Sequence, residues 1–421
     1  MATVTFSEDF TPDKLAYELS RMQEAGVTVT DQIGDGADNI TLSNEFGDSM
    51  VLSGEFGVDA EGEIHGILEK IAIAQSSIVL VTVTDFGNID VHEILDSLSK
   101  ALDPGADGPP KLEDLLELLG SNSIQAAGTD GNDDLQGNDG DNTLNGRHGD
   151  DKMHGGNGHD VFHGDQGDDL FDGGKGHDTA DYSSESGLGG VTANLMRHKG
   201  SDTFGDTDHY KGIEDISGSQ QDDALTGDNK SNNIDGNDGE DHIAGLQGSD
   251  TIHGGNEDDT LSGGQGKDDL FGDDGNDDLN GGDGNDDIDG GAGDDILVGG
   301  NGKDVLKGGA GDDTLTGGRG SDTFFFTDLT GGPDTITDFK FHLDKIAIDF
   351  VPDGPETLDA SHFFLSGDAS GPAPGQEALI YDKATGVLSY DSNVGDATDP
   401  VEVAHLKPNT ELTKDDFVFL S

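Results

Sequence analysis

The residues best suited to chemistry are aspartates that recur at nine-residue spacing. They are Asp133, Asp151, Asp160, Asp169 and Asp178, then Asp223, Asp241, Asp250, Asp259, Asp268, Asp277, Asp286, Asp295, Asp304, Asp313 and Asp322. Each is the sixth residue of a unit GGxGxDxUx, in which U is large and apolar. Five consecutive units keep the pattern closely: GGDGNDDID from Gly281, GGAGDDILV from Gly290, GGNGKDVLK from Gly299, GGAGDDTLT from Gly308 and GGRGSDTFF from Gly317. Asn142 and Asn232 hold the sixth place in two further units, and Ala180 stands where a large apolar residue is expected. A carboxylate beside glycine-turn carbonyls offers hard oxygen ligands only. A cage of about six such oxygens suits Ca²⁺ better than Mg²⁺ or Zn²⁺.

Glycines at the start of each unit permit positive φ and a tight turn whose carbonyls point inward. The x-U-x that follows reads as a short strand with U facing a core. Two nonapeptides make one coil, so turns n and n+2 stack and can enclose an ion between them. The fold expected is mainly β: a parallel β-roll, with a small N-terminal α/β domain and a β-rich C-terminal cap.

The repeats fall in two blocks. Gly128–Asp181 holds six units with 14 acidic and 3 basic residues, and Gly218–Phe325 holds twelve with 27 acidic and 5 basic. Stacking n on n+2 gives four and ten cages, so about fourteen Ca²⁺ would bring +8 and +20 against net charges of -11 and -22. Residues 182–217 lose the motif, yet their length of 36 is four times nine, so Gly218 resumes in phase. The insert either continues the strands without metal or forms a small cap.

Twelve units in register resemble the RTX (repeats-in-toxin, haemolysin-type calcium-binding) proteins exported by type I secretion. The resemblance implies a chain that folds on Ca²⁺ outside the cell and a C-terminal cap carrying an uncleaved export signal. DTITDF, DKIAI, ALIYD with GVLSYD, and the tail DDFVFLS in residues 326–421 look like that cap.

Composition supports a conditional fold. The 421 residues are only 31% hydrophobic, with 68 glycines, no Trp and a net charge of -68, a balance that favours disorder unless the acid is neutralised. Zero cysteines exclude a disulfide scaffold and thiolate metal sites. MATVTFSEDF has no basic n-region before an apolar stretch, so no cleavable signal is expected there, and Ile78–Val83 is too short to span a bilayer. An acidic chain repels nucleic acid and anionic lipid.

Residues 1–127 read as a separate mixed α/β domain. Helical spacing is expected from Thr11 to Gly26, over Val91–Leu102 and over Lys111–Leu119. Strands are expected at Val27–Thr30, Asn39–Ser43, Met50–Phe56, Ile64–Ile73 and Ile78–Phe86, with Ile64–Ile73 also compatible with a helix.

Enzymatic signatures are missing. His92-Glu93 is followed by Asp96 rather than His, so HExxH fails, and no GxSxG occurs. His148, His154, His159, His163 and His177 cluster in the first block, where turn or outer-face positions explain them better than transition-metal binding. The expectation is a non-enzymatic, extracellular calcium-binding scaffold or adhesin that attaches to cell-surface polysaccharide or matrix. The alternative is a secreted polysaccharide-modifying or hydrolytic enzyme, or a toxin, with the repeats as accessory modules.

Overall fold

The computed structural model describes residues 28–32, 38–43, 49–58, 64–75 and 78–84 as backbone strands, then 123–327, 332–349, 362–366, 377–391 and 400–419. The three expected N-terminal helices lie outside these residues. The described chain forms two compact units, one comprising Met1–Tyr182 with His198–Ile213 and the other Ser183–Arg197 with Glu214–Ser421.

In the first unit, an antiparallel meander runs through Thr28–Gln32, Asp38–Ser43, Ser49–Val58, Ile64–Gln75 and Ile78–Thr84. The stretch that was compatible with either helix or strand is thus a strand, paired on both sides. Ile124–Ala127 then lies antiparallel to Ile78–Thr84 and parallel to Thr143–His148. This four-residue strand precedes the first nonapeptide, and its Ile124 is fully buried.

From Gly128 the repeats form a roll. Each strand pairs in parallel with the strand eighteen residues further on, as in Phe162↔Ala180. The same register recurs in the second unit, with Leu279↔Leu297 in one sheet and Ile288↔Leu306 in the other. Alternate repeats therefore build two facing sheets, as a period of two units per coil requires. The eighth residue of each unit points between them. Leu135, Leu144, Met153, Phe162 and Phe171 are all fully buried, and so are Ile252, Leu270, Leu279, Ile288, Leu297, Leu306, Leu315 and Phe324. Burying one aliphatic side chain per nine residues contributes roughly 2 kcal/mol per repeat, a thin core for so glycine-rich a chain.

Glycines fix the turns. Gly309 (φ 108°) and Gly311 (φ 143°) occupy left-handed backbone, and a Cβ on Gly311 would collide with the Gly293 carbonyl one coil away. Stacked turns at this spacing leave no room for a side chain.

The 182–217 segment divides between the units. His209–Lys211 adds a parallel rung to Leu170–Lys175 with Phe171↔Tyr210, a step of 39 residues rather than eighteen. The extra length folds into a short hairpin, Lys199–Ser201 against His209–Lys211. Phe171 stacks on Phe162 at 5.7 Å and meets Tyr182 and Tyr210 at 6.4 and 5.9 Å, an aromatic cluster at the end of the first block. In the second unit, Thr192–Asn194 forms a rung beside Ala224–Thr226.

The C-terminal segment prolongs both sheets of the second unit. Asp334–Ile336 pairs with Thr314–Gly320, and Lys345–Ile348 with Thr323–Phe326; Val401–Leu406 and Phe417–Phe419 then add the next rungs. Ala378–Asp382 and Val387–Asp391 form a hairpin around DKATG, with Gly386 (φ 89°) closing the turn.

Candidate metal centre

Parallel stacking at a step of eighteen residues puts the sixth-place aspartates in columns. All sixteen predicted positions are buried, from fully so at Asp160 and Asp241 to 7% exposed at Asp133. Along each column one carboxylate oxygen accepts the backbone N–H of the aspartate one coil earlier. Asp133 N donates to Asp151 Oδ1 at 2.6 Å, Asp277 N to Asp295 Oδ1 at 2.9 Å and Asp286 N to Asp304 Oδ1 at 3.0 Å. The strand that follows each turn is thereby held in register by the carboxylate itself.

The other oxygen has nothing to accept. Oδ2 of Asp151, Asp160, Asp169, Asp241, Asp250, Asp259, Asp268, Asp277, Asp286, Asp295, Asp304, Asp313 and Asp322 is buried with no hydrogen-bond partner. Native proteins satisfy nearly all buried polar atoms, so a periodic series of orphans points to a missing ligand. The surrounding turn supplies further oxygen. A Cβ placed on Gly281 would sit 2.5 Å from Asp286 Oδ2 and 2.8 Å from the carbonyl oxygen of Gly299. One placed on Gly299 would lie 2.6 Å from Asp304 Oδ2 and 2.8 Å from Gly317 O. A carboxylate from one coil and a carbonyl from the next thus border the same small space. Among the described residues no three His, Cys, Asp or Glu side chains come together as a metal cluster. An ion between coils would therefore take most of its ligands from backbone carbonyls, which fits a hard oxygen-seeking cation.

Burial makes these acids weak. It raises Asp241 to about 8, Asp169 to about 9 and Asp151, Asp259 and Asp295 to about 7, while Asp250, Asp277, Asp286 and Asp322 reach about 6. Desolvation is the largest cause in each; the backbone N–H partially offsets it, and neighbouring carboxylates in the column add to it. A divalent cation would reverse that logic by favouring the ionised form.

Some predicted positions differ. Asp133 Oδ2 accepts from Thr129 N at 2.5 Å and Thr129 Oγ1 at 2.9 Å, and Asp223 Oδ2 accepts from Ser219 N at 2.6 Å. In these leading turns a residue of the turn itself satisfies the second oxygen. Asn142 donates Nδ2 to Asp160 Oδ1 at 2.8 Å, and Asn232 donates Nδ2 to the Glu214 carbonyl at 2.7 Å. The amide N–H group supplies a donor where the other turns have none.

The columns also extend beyond the motif. Asp169 N donates to Asp208 Oδ1 at 3.1 Å, Asp313 N to Asp334 Oδ1 at 3.2 Å and Asp322 N to Asp344 Oδ1 at 3.1 Å. These three acids lie outside any GGxGxD unit. Each nonetheless begins an Asp-x-U triplet, Asp208-His-Tyr, Asp334-Thr-Ile and Asp344-Lys-Ile, which is the signal that could have found them. Two histidines of the first block lie near acids: His148 is 3.5 Å from Asp130 and His154 is 3.3 Å from Asp172.

The family comparison agrees with this periodicity. A family model described as the RTX calcium-binding nonapeptide repeat (4 copies) matches residues 127–162, 153–180, 217–252, 245–279, 253–288, 262–297, 271–306 and 289–324. These are RTX calcium-binding nonapeptide repeats. The chain is also similar to solved structures. A subunit of the Azotobacter vinelandii mannuronan C5-epimerase is 26% identical over 39% of this chain and 78% of its own, with a TM-score of 0.22. An extracellular lipase from Serratia marcescens is 19% identical over 70% of this chain and 40% of its own, with a TM-score of 0.20. No curated protein matches the chain. No helix among the described residues is long and apolar enough to cross a membrane.

Proposed function

We propose that this is a secreted scaffold or adhesin whose rolls fold when Ca²⁺ fills the spaces between coils, and that it attaches to cell-surface polysaccharide or matrix. The observation that carries this reading is the series of buried, unpartnered Oδ2 atoms in the aspartate columns. Bound calcium would neutralise the buried charge and give the unpartnered oxygens a cation to coordinate. The residues that would hold it are the interior sixth-place aspartates, from Asp151 to Asp178 and from Asp241 to Asp313, together with the turn carbonyls. Low cytosolic Ca²⁺ would leave the rolls extended for passage through a type I secretion apparatus, whereas millimolar extracellular Ca²⁺ lies above the dissociation constants typical of extracellular modules. We read the chain as non-enzymatic, because its sequence carries neither HExxH nor GxSxG. A glycan array probed with the full chain tests attachment, with calcium-dependent retention expected. Reproducible turnover of a polysaccharide or ester by the full chain would instead overturn the scaffold reading.

A further inference from the structure

Asp322, the last repeat aspartate of its column, is set apart by a lysine. Lys340 Nζ donates to the carbonyl oxygen of Gly318 and, at 3.4 Å, to Asp338 Oδ2. The same ammonium lies 3.8 Å from Asp322 Oδ2 and 3.8 Å from Asp344 Oδ2. Asp322 and Asp344 are fully buried, and their coils are joined by the column's usual bond from Asp322 N to Asp344 Oδ1. Asp338 is itself fixed, accepting Gly317 N and Gly318 N at 2.9 Å each. One positive charge thus faces three carboxylates and a turn carbonyl, an all-oxygen surround richer in carboxylate than the space that Gly299 O and Asp286 Oδ2 border further up the roll. Lys340 N also donates to Asp344 Oδ2 at 2.7 Å, which ties the backbone of the lysine to the carboxylate its own side chain neutralises.

We infer that the Lys340 ammonium is a tethered cation occupying the place that calcium takes between interior coils, so that the Asp322–Asp344 space binds no calcium while the ammonium is present. The inference rests on the calcium reading above. It also follows a pattern, because Thr129, Ser219 and the Asn142 and Asn232 amides supply donors in the leading turns of each block. Protein groups supply donors at the leading turns and at the Asp322 end, and ions fill the interior. A lysine suits the trailing end, where the column passes into the C-terminal segment, because an ammonium on a flexible stem reaches several oxygens as a point charge.

Counting ions by native mass spectrometry of the full chain in saturating calcium tests this. Lys340→Gln is expected to bind one more Ca²⁺ than the unaltered chain, and Lys340→Arg the same number; equal counts for Lys340→Gln and the unaltered chain would overturn the inference. A second measurement needs no variant. In crystals of the unaltered chain grown with a lanthanide in place of calcium, anomalous peaks are expected between interior coils and none between Asp322 and Asp344. A peak at that position would overturn the inference alone, whereas an absence of peaks from every coil would overturn the calcium reading and the inference with it.

Discussion

Replacing Asp295 by Asn should change stability by an amount that depends on calcium, and should change its sign at low calcium. Asp295 is 1% exposed, its Oδ1 accepts Asp277 N at 2.9 Å and its Oδ2 is unpartnered. Asn keeps the Oδ1 acceptor, removes one charge and puts an N–H donor where the orphan oxygen stood, a donor of the kind the Asn142 and Asn232 amides supply. Without calcium the substitution removes a buried, undersatisfied carboxylate, a gain of about 1–3 kcal/mol. With calcium it forfeits one ion, which is worth about 2.7 kcal/mol at a hundredfold excess over the dissociation constant and about 4.1 at a thousandfold. The difference between variant and unaltered chain should therefore grow by about 1.4 kcal/mol per decade of free calcium. Urea unfolding across a calcium series measures it, with the variant less stable at high calcium and more structured in chelator. A stability difference independent of calcium would refute the reasoning, because Asp295 would then be a register-holding residue and not a ligand.

Two further outcomes follow from the same geometry. Leu246 holds a left-handed backbone (φ 80°) at a second-place position that glycine occupies in neighbouring turns; Leu246→Gly should raise the thermal midpoint in calcium, since a non-glycine residue there costs of order 1–3 kcal/mol and glycine's entropy returns only part of it. The pH response should invert with calcium. In chelator, acids raised to about 7–9, such as Asp241, Asp259 and Asp169, bind protons in the folded roll that the unfolded chain releases, so strand content should increase as pH falls from about 9 towards 5. In calcium those same acids are held ionised, and circular dichroism should show structure lost on acidification as protons displace the ion.

The repeat was legible because its chemistry is periodic. Glycine turns and an apolar eighth residue at constant spacing predict parallel stacking, and the register Leu279↔Leu297 follows from nine doubled. The N-terminal strands were legible from β-branched runs, although Ile64–Gln75 needed its partners on both sides to separate strand from helix. The ends of the columns were not legible. Asp208 reaches its place through a hairpin that makes the step 39 residues, and Asp334 and Asp344 follow steps of 21 and 22, so no fixed period finds them. Nor does spacing reveal that Thr129 and Ser219 already satisfy Asp133 and Asp223, because that depends on how the loop aims the backbone N–H and hydroxyl of its second residue.

The central claim is that calcium folds the rolls by filling the columns. Calorimetric titration of the full, chelator-treated chain with Ca²⁺, followed in parallel by far-ultraviolet circular dichroism, tests it most directly. The account predicts that strand signal and heat rise together, with many ions bound per chain and a plateau reached in the millimolar range. Full strand signal before any calcium is added, unchanged through the titration, would contradict it.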